Sequence, residues 1–266
     1  MGSYQLNSFQ DLFKEKKYFY VKNYLYNYLL RKNAVEKCLK NDFPELTLEV
    51  GSGISPVMTK VKDIVYTDIS FDAMKGLRQV HGKGYFVVAD AMSLPFKANT
   101  YSHAICSEVL EHLENDRQAL IEMSRILKTP NGSLIITVPH RKRYFGFDDR
   151  YVHHYRRYEL SEIKQRLHSA GFQPFVIQKV LGPLEKITMT PVVLLFSLIN
   201  KGTRTKMTTE TSLKSKSIDL MIFFFKWFNI FYRGYVWLDA KIMPMSFSTV
   251  ILIKSRTAKQ NEHLVR

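Results

Sequence analysis

Three acidic residues recur at one kind of place in this chain, the end of an apolar, β-rich run. Glu49 closes "LTLEVG", Asp68 closes "DIVYTDI" and Asp90 follows "YFVV". Gly51 and Gly53, with one residue between them, stand where the first run hands over to the next segment. A glycine pair there lets the backbone turn sharply and lie against a ligand without Cβ contact. A carboxylate at the end of a second strand can accept from ribose hydroxyls, and one just past a third strand from an exocyclic amine. Each acid taken singly would equally serve as a helix or turn cap. Their order and spacing together point to a nucleoside-like ligand.

A dinucleotide is disfavoured. The dinucleotide fingerprint needs a third glycine so that a helix N-terminus can hold a pyrophosphate. Here the stretch reads Ile54-Ser55-Pro56. Ser55 suits an N-cap and Pro56 the first helical position, so a helix is expected to start there without a phosphate cradle. S-adenosylmethionine has a ribose and no pyrophosphate, and it fits the row of acids. Its amino group and sulfonium would lie near Glu49, its ribose at Asp68 and its adenine amine at Asp90.

Candidates for proton transfer are His112, in "EVLEHL", and His153 or His154, in "YVHHYRRY", of which His154 is preferred. Tyr155, Arg156 and Arg157 follow it and could grip an anionic acceptor such as phosphate or carboxylate. No metal is expected. His140 to Tyr158 carries six Arg or Lys against two Asp, interleaved with aromatics, as a nucleic-acid surface would. Enzymes that methylate an exocyclic base nitrogen must stack an extruded base. Ser107-Glu108-Val109-Leu110 has neither proline nor aromatic for that, so nucleic acid is not the expected partner.

The elements that must position these residues read as alternating strands and helices. Strand-like runs are "LTLEVG", "DIVYTDI", "YFVVAD", "SHAICSE", "GSLIITVP", "FQPFVIQKV" and "FSTVILIK". Helical stretches are "FDAMKGLRQV", "NDRQALIEMSRILK", expected to stop at Asn131-Gly132, and "ELSEIKQRLHSAGF", closing on Gly171. This predicts a Rossmann-like α/β fold: a mostly parallel, seven-stranded sheet with helices on both faces. Residues 1–45 form an N-terminal helical extension in which Tyr18, Val21, Leu25, Tyr28 and Leu29 share a face. Residues 46–180 form the core, residues 181–246 an apolar helical insertion, and residues 247–266 the last strand and tail. The insertion holds "PVVLLFSLIN" and "IDLMIFFFKWFNIFYRGYVWLD". The first run is too short to span a bilayer, and the second is broken by Lys226, Asn229 and Arg233. Aromatics beside Lys and Arg fit a helix lying in a membrane interface, or a lid.

"LEVGSG", "YTDIS", "ADAMSLPF" and "AICSEVLEHLEN" resemble, in order, the motifs of class I methyltransferases, in particular the type 11 group. The resemblance runs from Leu46 to about Phe175. It implies that Glu49, Gly51, Gly53, Asp68 and Asp90 contact S-adenosylmethionine, with Ala91 beside the adenine. It places Ser107 and Glu108 at the methionine end. Two departures are Ser55 in place of the third glycine and the short first helix, "SPVMTKVK".

Composition narrows the partners. The formal charge of +15 points to an anionic partner or surface. Cys38 and Cys106, the only cysteines, stand far apart and imply a reduced compartment. The N-terminus has no apolar core of the signal-peptide kind. The expected location is the cytoplasm, peripheral on a membrane face. The expected activity is methyl transfer from S-adenosylmethionine to a small or lipid-linked acceptor. A soluble small-molecule methyltransferase with the insertion as lid or homo-oligomer contact is one alternative. A non-catalytic S-adenosylmethionine-binding membrane partner is the other.

Overall fold

A computed structural model describes residues 23–40, 42, 44–203 and 215–258. Tyr18 and Val21, and most of the polar linker between the two apolar runs, lie outside the described residues. Helix α1 (Tyr26–Leu39) leads into β1 (Thr47–Val50), β2 (Ile64–Asp68), α2 (Phe71–His81), β3 (Tyr85–Val88) and β4 (His103–Ser107). Then come α3 (Asp116–Ile126), β5 (Ser133–Pro139), α4 (Phe147–Tyr151), α5 (Leu160–Ser169), β6 (Phe172–Leu181), α6 (Pro183–Thr203), α7 (Ser215–Ile242) and β7 (Val250–Thr257).

The seven strands form one sheet in the order β3-β2-β1-β4-β5-β7-β6. Every pairing from β3 to β5 is parallel, and β7 runs antiparallel to both β5 and β6. The chain leaves β1 toward β2 on one side and returns through β4 on the other. That reversal opens a crevice at the carboxyl ends of β1 and β4, where open α/β sheets bind ligands.

Strand side chains alternate between two cores, as their period of two requires. Leu48, Ala104, Cys106, Leu134, Ile136 and Ile253 pack with Leu120, Met123, Ile163 and Leu167 of α3 and α5. Tyr66, Ile105, Ile135 and Leu252 point the other way, to Met74 and Leu77 of α2, Tyr28 and Val35 of α1 and Val236 of α7. β5 is buried along its whole length, which explains its unbroken apolar run. Two cores of this kind make α1 and α7 part of one face of the sheet.

The structure corrects two local readings. No helix starts at Ser55; residues 51–60 form irregular turns. The backbone N–H groups of Val57 and Met58 donate to the Glu49 carboxylate at 2.7 and 3.1 Å, taking the donors a first helical turn would offer. Helix α3 ends at Ile126 rather than at Asn131-Gly132, because Leu127 turns extended and bridges Tyr101. His112 sits on a short 3-10 turn, Leu110–His112.

Candidate functional site

The loop after β1 is built around its two glycines. Gly51 and Gly53 have φ of 68° and 54°. A Cβ on Gly51 would come within 2.4 Å of Val109, so this turn against the end of β4 requires glycine. Asp68 straps the loop to the end of β2. Its Oδ2 accepts from the Gly53 N–H and its Oδ1 from the Ser70 N–H, both at 2.9 Å. Asp90, just past β3, accepts from the Met92 N–H at 2.9 Å. Asp68, Asp90 and Ala91 are all half-buried, which leaves surface for a ligand, and Ile69 beside them is exposed. Glycines without side chains, flanking carboxylates and an adjacent apolar face suit a nucleoside.

Glu49 does not share that placement. Its carboxylate is buried beneath the loop, bound to the Val57 and Met58 N–H groups. Burial lifts its pKa to about 8 against the pull of those two donors. Glu49, expected near a ligand's amino group, has both carboxylate oxygens engaged by the loop that it shapes.

At the end of β4, Ser107 Oγ lies 2.8 Å from Thr137 Oγ1, and that hydroxyl donates to Glu108 Oε1 at 3.1 Å. Glu108 sits at φ 56° and pairs with Arg31 of α1 at 3.2 Å. Tyr28, also on α1, donates to the Pro56 carbonyl at 2.7 Å. The N-terminal extension therefore covers the glycine loop and reaches the β4 end. Sequence reasoning missed Arg31 and Tyr28, since nothing in helical spacing says which strand end a helix overlies.

His112 and His154 meet with ring centroids 4.6 Å apart, edge to face. Glu111 is buried beside them, and its carboxyl is pushed well above the usual range by burial and by the nearby Glu108 charge. His154 Nδ1 lies 2.9 Å from Asp149 Oδ1. Burial opposes ionisation of Asp149, yet His154, Arg157 and Lys186 together hold its carboxyl well below the usual range. Glu111 and Asp149 also escaped the sequence reading, although both lie in stretches it quoted.

The expected acceptor grip is mostly spoken for. Arg157 is buried, its Nε donating to Asp149 at 2.8 Å and its Nη1 to the Thr249 carbonyl at 3.2 Å. Arg156 pairs with Asp116 at 3.1 Å and donates to the Glu114 carbonyl. Both arginines thus fasten the loop after α4 to its neighbours, and only Tyr155 is exposed. Arg141 and Lys142 pair with Glu159 and Glu162 in the same way. Cations already paired at 3 Å are poor anchors for a polyanion.

The glycine loop, the carboxylate at the end of β2 and the switch-point crevice belong to a Rossmann-like fold of the class I methyltransferase kind. Residues 48–136 match the family model described as "Methyltransferase domain", of the type 11 group. An uncharacterised protein of Methanocaldococcus jannaschii is 38% identical over 99 residues, 37% of this chain. The match spans 42% of that relative's length. Among solved structures, an S-adenosylmethionine-dependent methyltransferase of Thermotoga maritima aligns with TM-score 0.58 at 19% identity, covering 94% of this chain and 99% of its own. Phosphoethanolamine N-methyltransferase 2 of Haemonchus contortus, in complex with S-adenosylmethionine, aligns with TM-score 0.58 at 15% identity over 94% of this chain and 60% of its own. The [4+2]-cyclase SpnF also aligns, with TM-score 0.58, at 16% identity over 86% of this chain and 80% of its own. At these identities the neighbours share the fold alone.

Proposed function

We propose that the whole chain transfers a methyl group from S-adenosylmethionine to a small or lipid-linked acceptor that it meets at an anionic membrane surface. The observation that carries the methyl-transfer part is the pair of half-buried carboxylates, Asp68 and Asp90, beside the Gly51–Gly53 loop at the strand switch point. S-adenosylmethionine supplies an electrophilic methyl on a sulfonium. Asp68 would hold its ribose, Asp90 its adenine amine, and Ser107 and Glu108 its methionine end. The protein's own contribution is orientation and water exclusion, from which in-line displacement draws much of its acceleration. His112 and His154 face the acceptor side. Where the acceptor carries a proton, His154, oriented by Asp149, takes it.

The membrane part rests on α7. Phe224, Phe228, Phe231, Tyr235, Leu238 and Ile242 follow helical spacing in one stripe, and all are 46% to 68% exposed. Asn229, Val236 and Ala240, on the opposite side, are buried. Among the described residues no helix is long and apolar enough to cross a membrane. An exposed aromatic stripe on a helix that also carries Lys226, Arg233 and Lys241, in a chain of charge +15, fits a helix lying in an anionic interface. The second reading, a lid or dimer contact, uses the same stripe.

The test is transfer of labelled methyl from S-adenosylmethionine into a host extract, partitioned between organic and aqueous phases, with Asp68→Ala as control. Label in the organic phase supports a lipid-linked acceptor. Label only in water-soluble material turns the insertion into a lid, and label no higher than control removes the enzymatic reading.

A further inference from the structure

The turn after β4 and the loop after α4 bring Glu111, His112 and His154 together, with ligating atoms of all three within 4.8 Å of one another. We propose that these side chains form a binding site for a divalent first-row metal ion, zinc being the ion their donor set suits best.

Three features support it. Glu111 is fully buried, and neither of its carboxylate oxygens has a hydrogen-bond partner among the described residues. Buried carboxyl groups are ordinarily paired, hydrogen-bonded or metal-bound, so these two oxygens lack the partner their burial demands. Next, His154 presents the correct atom. Its Nδ1 is taken by Asp149 at 2.9 Å, which leaves Nε2 directed at Glu111 Oε1, 3.8 Å away. Donors bound at about 2.1 Å to one tetrahedral ion stand roughly 3.4 Å apart, so a small closure would seat the ion. Lastly, the support extends another layer outward. Asp149 is fixed by Arg157 at 2.8 Å, by Lys186 at 2.7 Å and by the Gly146 N–H at 2.9 Å. A carboxylate that is itself held, orienting a histidine toward a third donor, is the arrangement that metal-ligating histidines require.

The surrounding charge is mixed. Glu108 favours a cation, while Arg31 and Arg157 oppose one. His112 and His154 are only half-buried, which gives an ion a route from solvent. Three protein donors leave a position for an oxygen ligand. On the methyl-transfer reading above, that ligand is an acceptor oxygen, and with the ion bound His154 serves as a ligand rather than as the base, the ion acidifying the acceptor so that its proton passes to solvent; this last step rests on that reading, whereas the ion site does not.

The test uses tag-free, full-length protein titrated with Co²⁺ and then Zn²⁺, with no methyl transfer involved. One equivalent of Co²⁺ is expected to bind with a micromolar or tighter dissociation constant. Visible absorption bands of a low-symmetry site should appear, and Zn²⁺ should abolish them. His112→Ala and His154→Ala should each weaken binding at least about tenfold, and Asp149→Asn by about 10- to 100-fold. Asp149 also anchors salt bridges, so His112→Ala, at a half-exposed position, is the decisive variant, with its fold checked by circular dichroism. The proposal is overturned if the folded wild-type protein takes up no stoichiometric Co²⁺ at millimolar concentration. Binding that the histidine variants retain in full overturns it equally, because the ion then sits elsewhere.

Discussion

Helices α3 and α7 answer opposite demands with similar spacing. α3 turns Ala119, Leu120, Met123 and Ile126 into the core and presents Arg117 and Arg125 to solvent. α7 buries Asn229, Val236 and Ala240 against the sheet and α1, with Tyr26 N–H donating to Asn229 at 3.1 Å, and turns its phenylalanines outward. A helix that is apolar nearly all round is usually buried all round. Here the core absorbs one side and leaves the bulkier one. The same contrast separates the two flanks of the sheet. The parallel flank collects half-buried carboxylates at its carboxyl edge, and the antiparallel flank carries the exposed aromatics. On the proposed function, one flank would take a small polar ligand and the other an apolar surface.

The comparison breaks most readily at Asp68. Asp68→Ala removes the proposed acceptor of ribose hydroxyls and the strap on Gly53, and should weaken S-adenosylmethionine binding about 100-fold or more by calorimetry, given the strength of hydrogen bonds to charged groups. Flotation of that variant with vesicles should be unchanged. Conversely, Phe224→Ser/Phe228→Ser/Phe231→Ser should lower partition onto anionic vesicles by about 100-fold, since each ring contributes on the order of 1 kcal/mol or more of apolar transfer. Cofactor affinity of the triple variant should match wild type. Loss of both properties in either protein would show the flanks to be one functional unit.

A smaller effect is expected beneath the loop. Glu49→Gln would set an amide donor against the Val57 or Met58 N–H and should cost about 1–3 kcal/mol in urea unfolding at neutral pH. The smallest effect tests the far end of β5. His140 is buried with Nδ1 2.5 Å from Ser248 Oγ, and burial together with Arg141 lowers its pKa to about 4. Unfolded, the imidazole binds a proton near its ordinary pKa of about 6.5, so below that pH the unfolded chain holds more protons than the folded one. The contribution is therefore present above about 6.5 and lost as pH falls toward 4. His140→Gln should flatten that part of the stability-versus-pH curve, measured by denaturation at a series of pH values.

Much of the parallel half was legible because its signals are local. Asp68, Asp90 and the Gly51–Gly53 pair are placed by strand ends, and strand ends show in the alternation of apolar runs with helical ones. The helix expected at Ser55-Pro56 failed because its competitor was six residues back: Glu49 takes the very N–H groups, of Val57 and Met58, that a first turn would free. Arg156 and Arg157 looked available for an anion because a sequence shows their charge and not their partners, Asp116 and Asp149, 40 and 8 residues away. The aromatic run of α7 was plain in the sequence. Which of its faces stays exposed was not.

The sequence by itself determined the strand order of chemistry along the sheet edge, the excess of apolar aromatics in the insertion and the positive charge. These depend on residue type and on periods of two or 3.6, which operate within a few residues. Only the tertiary structure decided that α1 lies over the glycine loop with Arg31 on Glu108. It also decided that Glu49 faces inward, and that Glu111, His112 and His154 converge from segments some forty residues apart. Such contacts are set by how whole elements pack against the two faces of the sheet, and no short window of sequence contains that information.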